Sequence, residues 1–262
     1  MPDLLTIPAA ILETRELSVR FGGHVAVDRV SCAFQAGTLT AIVGPNGAGK
    51  TTWFNAVSGQ VRPSAGQVWL SGENISSLPA PARTRRGLGR AFQLTQLFAQ
   101  LTVQENLRLA VQAQAGLGLG LRDIATLWSD RRDLLACTDE LLEAVSLGAQ
   151  RDQLAAELPH GDQRKLEVAL LMALKPRVFL LDEPTAGMSL DDVPVILDLI
   201  RGLKRRGDAT ILLVEHKMDV IRELADRIVV FHEGHLVADG EPAAVMASTV
   251  VQEAYLGRKA DR

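Results

Sequence analysis

One stretch of the chain carries residue types that together can hold a chain of phosphates: Gly44-Pro45-Asn46-Gly47-Ala48-Gly49-Lys50-Thr51-Thr52. Glycines let a backbone curl around an oxyanion with its N–H groups turned inward, and a helix starting directly after the loop adds the partial positive charge of its N-terminus. Lys50 supplies a full charge for β- and γ-phosphates, and the Thr51 hydroxyl is a magnesium ligand in such loops. A second group is Asp182-Glu183, which closes the apolar run Val178-Phe179-Leu180-Leu181. An apolar strand ending in two carboxylates delivers both to the carboxyl edge of a sheet, where ligands of open α/β sheets bind. There Asp182 can hold magnesium and Glu183 can polarise an attacking water. His216 follows Thr210-Ile211-Leu212-Leu213-Val214-Glu215 and ends a strand on the same edge. Gln93, in Gly89-Arg90-Ala91-Phe92-Gln93, says nothing by itself.

These groups need particular elements to position them. Leu39-Thr40-Ala41-Ile42-Val43 before the glycine loop reads as a buried strand, and Trp53-Phe54-Asn55-Ala56-Val57 after it as a helix, which is the strand–loop–helix context of a phosphate loop. Upstream, residues 11–19 and 27–34 read as strands, and 67–70 as a short one closed by the turn Ser71-Gly72-Glu73-Asn74. Residues 78–90 contain Pro79 and Pro81 with Arg83, Arg85, Arg86 and Arg90. That segment is expected as a polar loop or short basic helix whose arginines form a solvated face.

From residue 100 to 175 the texture is helical. A helix over 102–114 opens with Thr102 as N-cap and Glu105 three positions on, a capping box, and Gly116-Leu117-Gly118-Leu119-Gly120 breaks it. Further helices are expected over 134–145 and 166–174. Strands return at 178–181, 210–214 and 228–231 with helices at 193–206 and 218–225 between them. That alternation implies a parallel sheet with right-handed crossovers. Residues 235–238 read as a last hairpin strand.

Composition narrows the class. At 262 residues and 47% apolar content, one α/β domain with an appended subdomain and a sizeable core fits. A net charge of −3 gives no general basic surface for nucleic acid. Cys32 and Cys137 lack metal-ligand spacing and read as reduced structural thiols of a cytosolic protein. No apolar run approaches a membrane-spanning length, and the acidic N-terminus lacks a signal-peptide pattern.

Taken together and in order, the motifs resemble the ATP-binding subunits of ABC transporters over about residues 11–257. The resemblance implies a P-loop NTPase core with a mostly parallel sheet, an antiparallel β subdomain and a helical subdomain. It implies one ABC ATPase domain over 1–262, the helical part being 100–175. It implies ATP and Mg2+ as ligands, with Thr51, Gln93 and Asp182 at the metal and Glu183, His216, Lys50 and Gln93 in catalysis. Phe21 matches the aromatic that stacks on adenine. Leu158-Pro159-His160-Gly161-Asp162-Gln163 stands where the family signature, Leu-Ser-Gly-Gly-Gln, contacts the ATP of a second subunit.

Within the family, three stretches are similar to the ATPases of branched-chain amino-acid importers: Arg90-Ala91-Phe92-Gln93 with Thr102-Val103-Gln104-Glu105-Asn106, then Glu183-Pro184-Thr185-Ala186-Gly187-Met188, then Glu215-His216-Lys217-Met218-Asp219-Val220. The 65 positions from Gln93 to Leu158 resemble the longer of the two ATPases such importers use, with 116–133 as its insertion. The implied partners are a second ATPase subunit in a heterodimer (a homodimer in isolation), membrane permeases contacted near Gln93 to Phe98, with Leu97 and Phe98 as contact residues, and indirectly an external solute-binding protein. The implied place is cytoplasmic, peripheral on the inner face of the membrane. Branched-chain amino acids, urea and other small amides and acids remain open as solutes. A lipopolysaccharide-type exporter and a non-transport ABC ATPase are the rival readings.

Two departures from the family pattern stand out. Pro159 and Asp162 replace the signature Ser and Gln, and Ser189 replaces an Asp common in the subunit-contact loop. Pro159 has neither hydroxyl nor N–H for a phosphate. Asp162 would set a negative charge near the partner's phosphates, unfavourable by ~1 kcal/mol unless a cation intervenes.

Overall fold

The computed structural model describes residues 10–91, 97–116, 132–249 and 251. Gln93 and all but the ends of the 116–133 segment lie outside the described residues. The chain divides into two compact units: residues 1–88, 177–182 and 204–262 form the first, and 89–176 with 183–203 the second.

The first unit holds two sheets. Strands β1 (Ala10–Phe21) and β2 (His24–Gln35) pair antiparallel, β4 (Ala65–Leu70) adds to β1, and β5 (Glu73–Asn74) returns along β4, giving the order β2-β1-β4-β5. The second sheet is parallel through β9, β3, β8 and β7, with β10 antiparallel at the end: β10 (His235–Gly240), β9 (Arg227–His232), β3 (Leu39–Val43), β8 (Thr210–Val214), β7 (Val178–Asp182). Every residue of β3, β7 and β8 is buried, as expected of strands covered on both faces and rich in Val, Ile and Leu.

Helix α1 (Lys50–Ser58) buries Trp53, Phe54, Ala56 and Val57 in a core that also includes Leu12 and Phe34 of the antiparallel sheet and Ile42, Leu180 and Phe231 of the parallel one. The Trp53 ring stands 5.7 Å from Phe34, 5.7 Å from Phe54 and 5.8 Å from Phe231, tilted to each. Such tilted aromatic pairs contribute beyond their burial and fix the helix that carries Lys50.

Residues 78–90 depart from expectation. They form α2 (Ala80–Arg85) and then β6 (Leu88–Ala91), a strand the sequence reading missed, which runs from the first unit into the second. Its arginines are not a solvated face throughout. Arg83 is 1% exposed. It donates to Ala56 O at 2.8 Å and Val57 O at 2.6 Å, at the C-terminal end of α1, and to Ser76 O and Leu78 O at 2.9 Å each. Its charge sits where a helix presents unpaired carbonyls. Burial lowers its pKa to about 10, so it stays charged at neutral pH. Arg90 is also buried. Only Arg85 and Arg86 match the solvated reading.

The second unit is mainly helical: α3 (Val103–Gln114), α4 (Arg132–Ala144), α5 (His160–Ala173) and α6 (Val193–Arg206). The capping box is present at α3, with Glu105 N donating to Thr102 Oγ1 at 3.1 Å and Thr102 N to Glu105 Oε2 at 2.8 Å. Val103, Leu107, Leu142, Leu158, Leu166 and Ala169 form its core, and Leu97 packs against it. Helix α5 begins at His160, six residues before the expected start. In the first unit, α7 (Met218–Leu224) precedes β9 and α8 (Pro242–Ala247) follows β10. Cys32 is buried, which pushes its thiol pKa to about 12; Cys137 is half-buried, and both are free thiols.

Candidate functional site

The glycine loop joins β3 to α1 at the carboxyl edge of the parallel sheet. Its backbone conformation requires glycine. Gly44 has φ 148°, and a methyl group there would lie 2.2 Å from Phe231 O and 3.3 Å from Ala48 Cβ. Gly49 has φ 97°, and a methyl group there would lie 2.4 Å from Ala26 O. Gly47, at φ 80°, faces open space. The N-cap of α1 is Gly49, which has no side chain with which to cap the first turn of the helix.

Lys50 is the first residue of α1 and is buried. Its ammonium donates to Gly44 O at 2.6 Å and Pro45 O at 2.9 Å, which holds the charge across the concave side of the loop. Thr51 and Thr52 follow on the first turn, both half-buried.

Strand register brings the other groups of this unit to the same edge. Val214 of β8 lies opposite Ile42 of β3 on one side and Asp182 of β7 on the other. Asp182 is therefore two strands from the start of the loop, about 10 Å by ordinary strand spacing, and its side chain is fully buried. His216 is two residues past Val214 and exposed; its N–H donates to the Glu215 carboxylate at 3.2 Å. Phe21 closes β1 opposite His24, and β2 then passes the loop at Ala26. Phe21 is 52% exposed, a large apolar side chain at the surface.

Magnesium can be judged on the donor set. Thr51 and Asp182 offer oxygen ligands, and no group of three or more His, Cys, Asp or Glu that could form a protein cage occurs among the described residues. That set suits an ion shared between one carboxylate, a hydroxyl and nucleotide phosphates.

Glu183 follows Asp182 in the chain and belongs to the second unit. Its φ of 49° lies in the left-handed region. The backbone after it is held by Arg164 of α5, whose Nη2 donates to Glu183 O at 2.9 Å and Nε to Pro184 O at 3.3 Å. Arg164 also pairs with Glu167 at 2.9 Å, both side chains buried.

The signature-like segment stands at the start of α5. Leu158 is in the helical core, Pro159 is the N-cap with φ −53° and ψ 153°, and His160, Gly161 and Asp162 make the first turn. Asp162 does not stand as a lone charge: Lys165 Nζ is 2.9 Å from its Oδ1 and 2.5 Å from Asp192 Oδ1. The cation needed to offset Asp162 is thus built in one turn along the helix. Ser189 accepts from Asp192 N at 3.3 Å and donates to its carboxylate at 2.7 Å, so it orders the loop before α6.

Sequence reasoning passed over Arg164, Lys165, Glu167 and Asp192. The i,i+3 spacing of Asp162–Lys165 and of Arg164–Glu167 was a signal for two of the contacts. The partners 19 to 27 positions away in the chain were not readable.

A groove of about 390 Å³ in the second unit is lined by Phe98, Leu109, Ala113, Leu170 and Leu174 with Arg90 and Glu167 among its polar groups. Phe98 is 60% exposed there, while Leu97 is half-buried and packs against the helical core. The two neighbouring residues therefore differ in exposure. No helix among the described residues is long and apolar enough to cross a membrane.

Comparison with known proteins accords with this architecture. A family model described as ABC transporter matches residues 27–186. The high-affinity branched-chain amino acid transport ATP-binding protein BraF of Pseudomonas aeruginosa is 36% identical over 249 residues, covering 94% of this chain and 98% of that protein. LivG of Salmonella typhimurium, of the same description, matches with the same identity and coverage. The lipopolysaccharide export system ATP-binding protein LptB of Haemophilus influenzae is 33% identical over 250 residues, covering 95% and 98%. Among solved structures, a nucleotide-free ATP-binding cassette from an ABC transporter aligns with a TM-score of 0.78 at 26% identity, covering 95% of this chain and 99% of that one. A cassette in its ADP conformation aligns with the same score and coverage at 27% identity. A phosphate-type loop between β3 and α1, a buried carboxylate two strands away and a family match over most of the sequence lead to one conclusion: the chain belongs to the ABC transporter family, as an ATP-binding, ATP-hydrolysing subunit.

Proposed function

We propose that this subunit powers an importer of branched-chain amino acids or related small polar solutes, acting as one ABC ATPase domain over 1–262 with 100–175 as its helical subdomain. The observation that carries this reading is the match to BraF, which spans 94% of this chain and 98% of that protein. The export ATPase relative is similar over as much sequence at lower identity, so export is the second reading.

In this reading the first-turn N–H groups of α1 and the loop around Gly47 bind the ATP phosphates, and Phe21 stacks on the adenine. Lys50 exchanges the Gly44 and Pro45 carbonyls for β- and γ-phosphate oxygens. Thr51, Gln93 and Asp182 would hold Mg2+, which would supply positive charge against the transferred phosphoryl group. Glu183 takes the proton of the in-line water, and His216 contacts the γ-phosphate. The turn from Leu158 to Asp162 faces the ATP of a second ATPase subunit. Helix N-terminal N–H groups there, with Lys165 nearby, stand in for the missing serine. They replace it only in part, because Pro159 offers neither hydroxyl nor N–H; that loss supports a heterodimer of unequal sites, the one built on this P-loop being the faster. An apolar permease segment occupies the Phe98 groove, which places the subunit peripherally on the inner face of the membrane.

The test is reconstitution with the co-encoded permeases, partner ATPase and binding protein in vesicles, followed by ATP-driven uptake of labelled leucine, urea and short amides. Leucine or amide uptake that stops on Glu183→Gln, with ATP still bound, is the expected result. Uptake undiminished by Glu183→Gln would move the base elsewhere, and absence of uptake with ATP-driven release of a lipid would favour export. A greater loss from the partner's catalytic glutamate than from Glu183 would reject the unequal-site reading.

A further inference from the structure

If Glu183 is the base, something must hold it in the left-handed backbone conformation that it adopts, φ 49°. A non-glycine residue keeps such a conformation only where its surroundings over-determine it. The Ala186 N–H, at 3.1 Å, and the Arg164 guanidinium both meet the Glu183 carbonyl, and of the two only the guanidinium reaches it from another element. Arg164 Nη2 and Nε bind the consecutive carbonyls of Glu183 and Pro184 at 2.9 and 3.3 Å. Its Nη1 binds Glu167 Oε2 at 2.9 Å. Arg164 and Glu167 are 6% and 7% exposed. Three donors in one rigid plane set the orientation of the peptide that carries the base, which a flexible ammonium does not do.

We propose that Arg164 is a positioning residue for the Glu183 carboxylate and that Glu167 fixes the plane of Arg164 for that task. The proposal rests on the reading of Glu183 as base. Arg164 acts through the backbone of residues 183 and 184. Misplacing a reacting group by about 1 Å lowers a rate by about a hundredfold. Loss of the clamp should therefore appear in kcat, while ATP affinity, which depends on the glycine loop in the first unit, stays as it was.

The experiment is steady-state ATPase of the purified full chain across a range of Mg-ATP concentrations, with nucleotide affinity and thermal melting measured alongside. Arg164→Ala alone would leave the Glu167 carboxylate buried and unpaired, so the primary variant replaces both with apolar side chains of similar volume, Arg164→Met with Glu167→Leu. The expected result is a fall in kcat of at least about tenfold, KM for ATP within about twofold of wild type, and an unchanged melting temperature. Added to Glu183→Gln, the same pair should lower turnover no further, since the base it positions is already gone. If the double variant melts early, Arg164→Lys decides on the same kcat criterion, because it keeps the charge beside Glu167 and loses the planar grip on the two carbonyls. Wild-type kcat in the folded double variant, or a change confined to KM, overturns the proposal while Glu183→Gln still abolishes turnover. Normal turnover in Glu183→Gln overturns the base reading itself, and the proposal falls with it.

Discussion

Replacing Gly44 by Ala should damage nucleotide binding more than folding. Two effects add at this position. A φ of 148° is strained for any L side chain, an effect on the order of 1–3 kcal/mol. The added methyl would also stand 2.2 Å from Phe231 O, where 3.0 Å is the practical limit, so one of the two must retreat by about 0.8 Å. Phe231 is a fully buried residue, last but one in β9, paired with β10 on one side and packed on Trp53, so the loop yields rather than the strand. A shift of nearly 1 Å at the first residue of the loop misaligns N–H groups whose hydrogen bonds weaken steeply with distance and angle. Loss of one or two such bonds to a charged phosphate, at about 1.5–3 kcal/mol each, weakens ATP binding by at least tenfold. Gly72→Ala is the control. It too has a positive φ, 81°, in the turn between β4 and β5, yet a methyl group there meets nothing within 4 Å. Titration of both variants with Mg-ATP by calorimetry should give unchanged affinity for Gly72→Ala and the tenfold loss for Gly44→Ala. Equal affinity in the two would refute the claim that close approach to Phe231 shapes the loop.

Two further predictions follow from the buried charges. Arg83→Met should lower urea-unfolding stability by about 3 kcal/mol or more, because four carbonyls lose a charged donor at once; a loss below about 1 kcal/mol would mean that water replaces the guanidinium without penalty. The Lys165 ammonium hydrogen-bonded to Asp192, with Ser189 assisting, holds the Asp192 carboxyl below its ordinary value of 3.8. A depressed carboxyl stabilises the fold above that ordinary value and loses its effect as pH falls through the lowered one. The difference in melting temperature between wild type and Asp192→Asn should therefore be present at pH 6 and shrink toward zero below about pH 4; a difference constant from pH 6 to pH 3 would refute the pairing.

What could be read from the sequence was what depends on neighbours in the chain. The glycine loop needs a strand before it and a helix after it, and both are written in consecutive residues. The capping box of Thr102 and Glu105 spans one turn, and the α6 boundaries follow from a single amphipathic stretch, so these elements stand where expected. The alternation of apolar runs with helices between them was enough to call the parallel strands β7, β8 and β9. The arginines of 78–90 show the limit. A run of charge beside two prolines reads as solvated, because exposure is the ordinary state of arginine. Only the fold brings Arg83 to the carbonyls of Ala56 and Val57, 27 and 26 positions back, where the end of α1 supplies acceptors that no local pattern announces. The same holds for Asp162, a misplaced charge in the sequence. Folding sets Lys165 between it and Asp192, thirty positions further along, and binds Arg164 to the peptide after Glu183. Local hydrogen bonding and hydrophobic period belong to the sequence. The partners of buried charges belong to the tertiary structure, because they are chosen by which distant carbonyl or carboxylate the packing brings within about 3 Å.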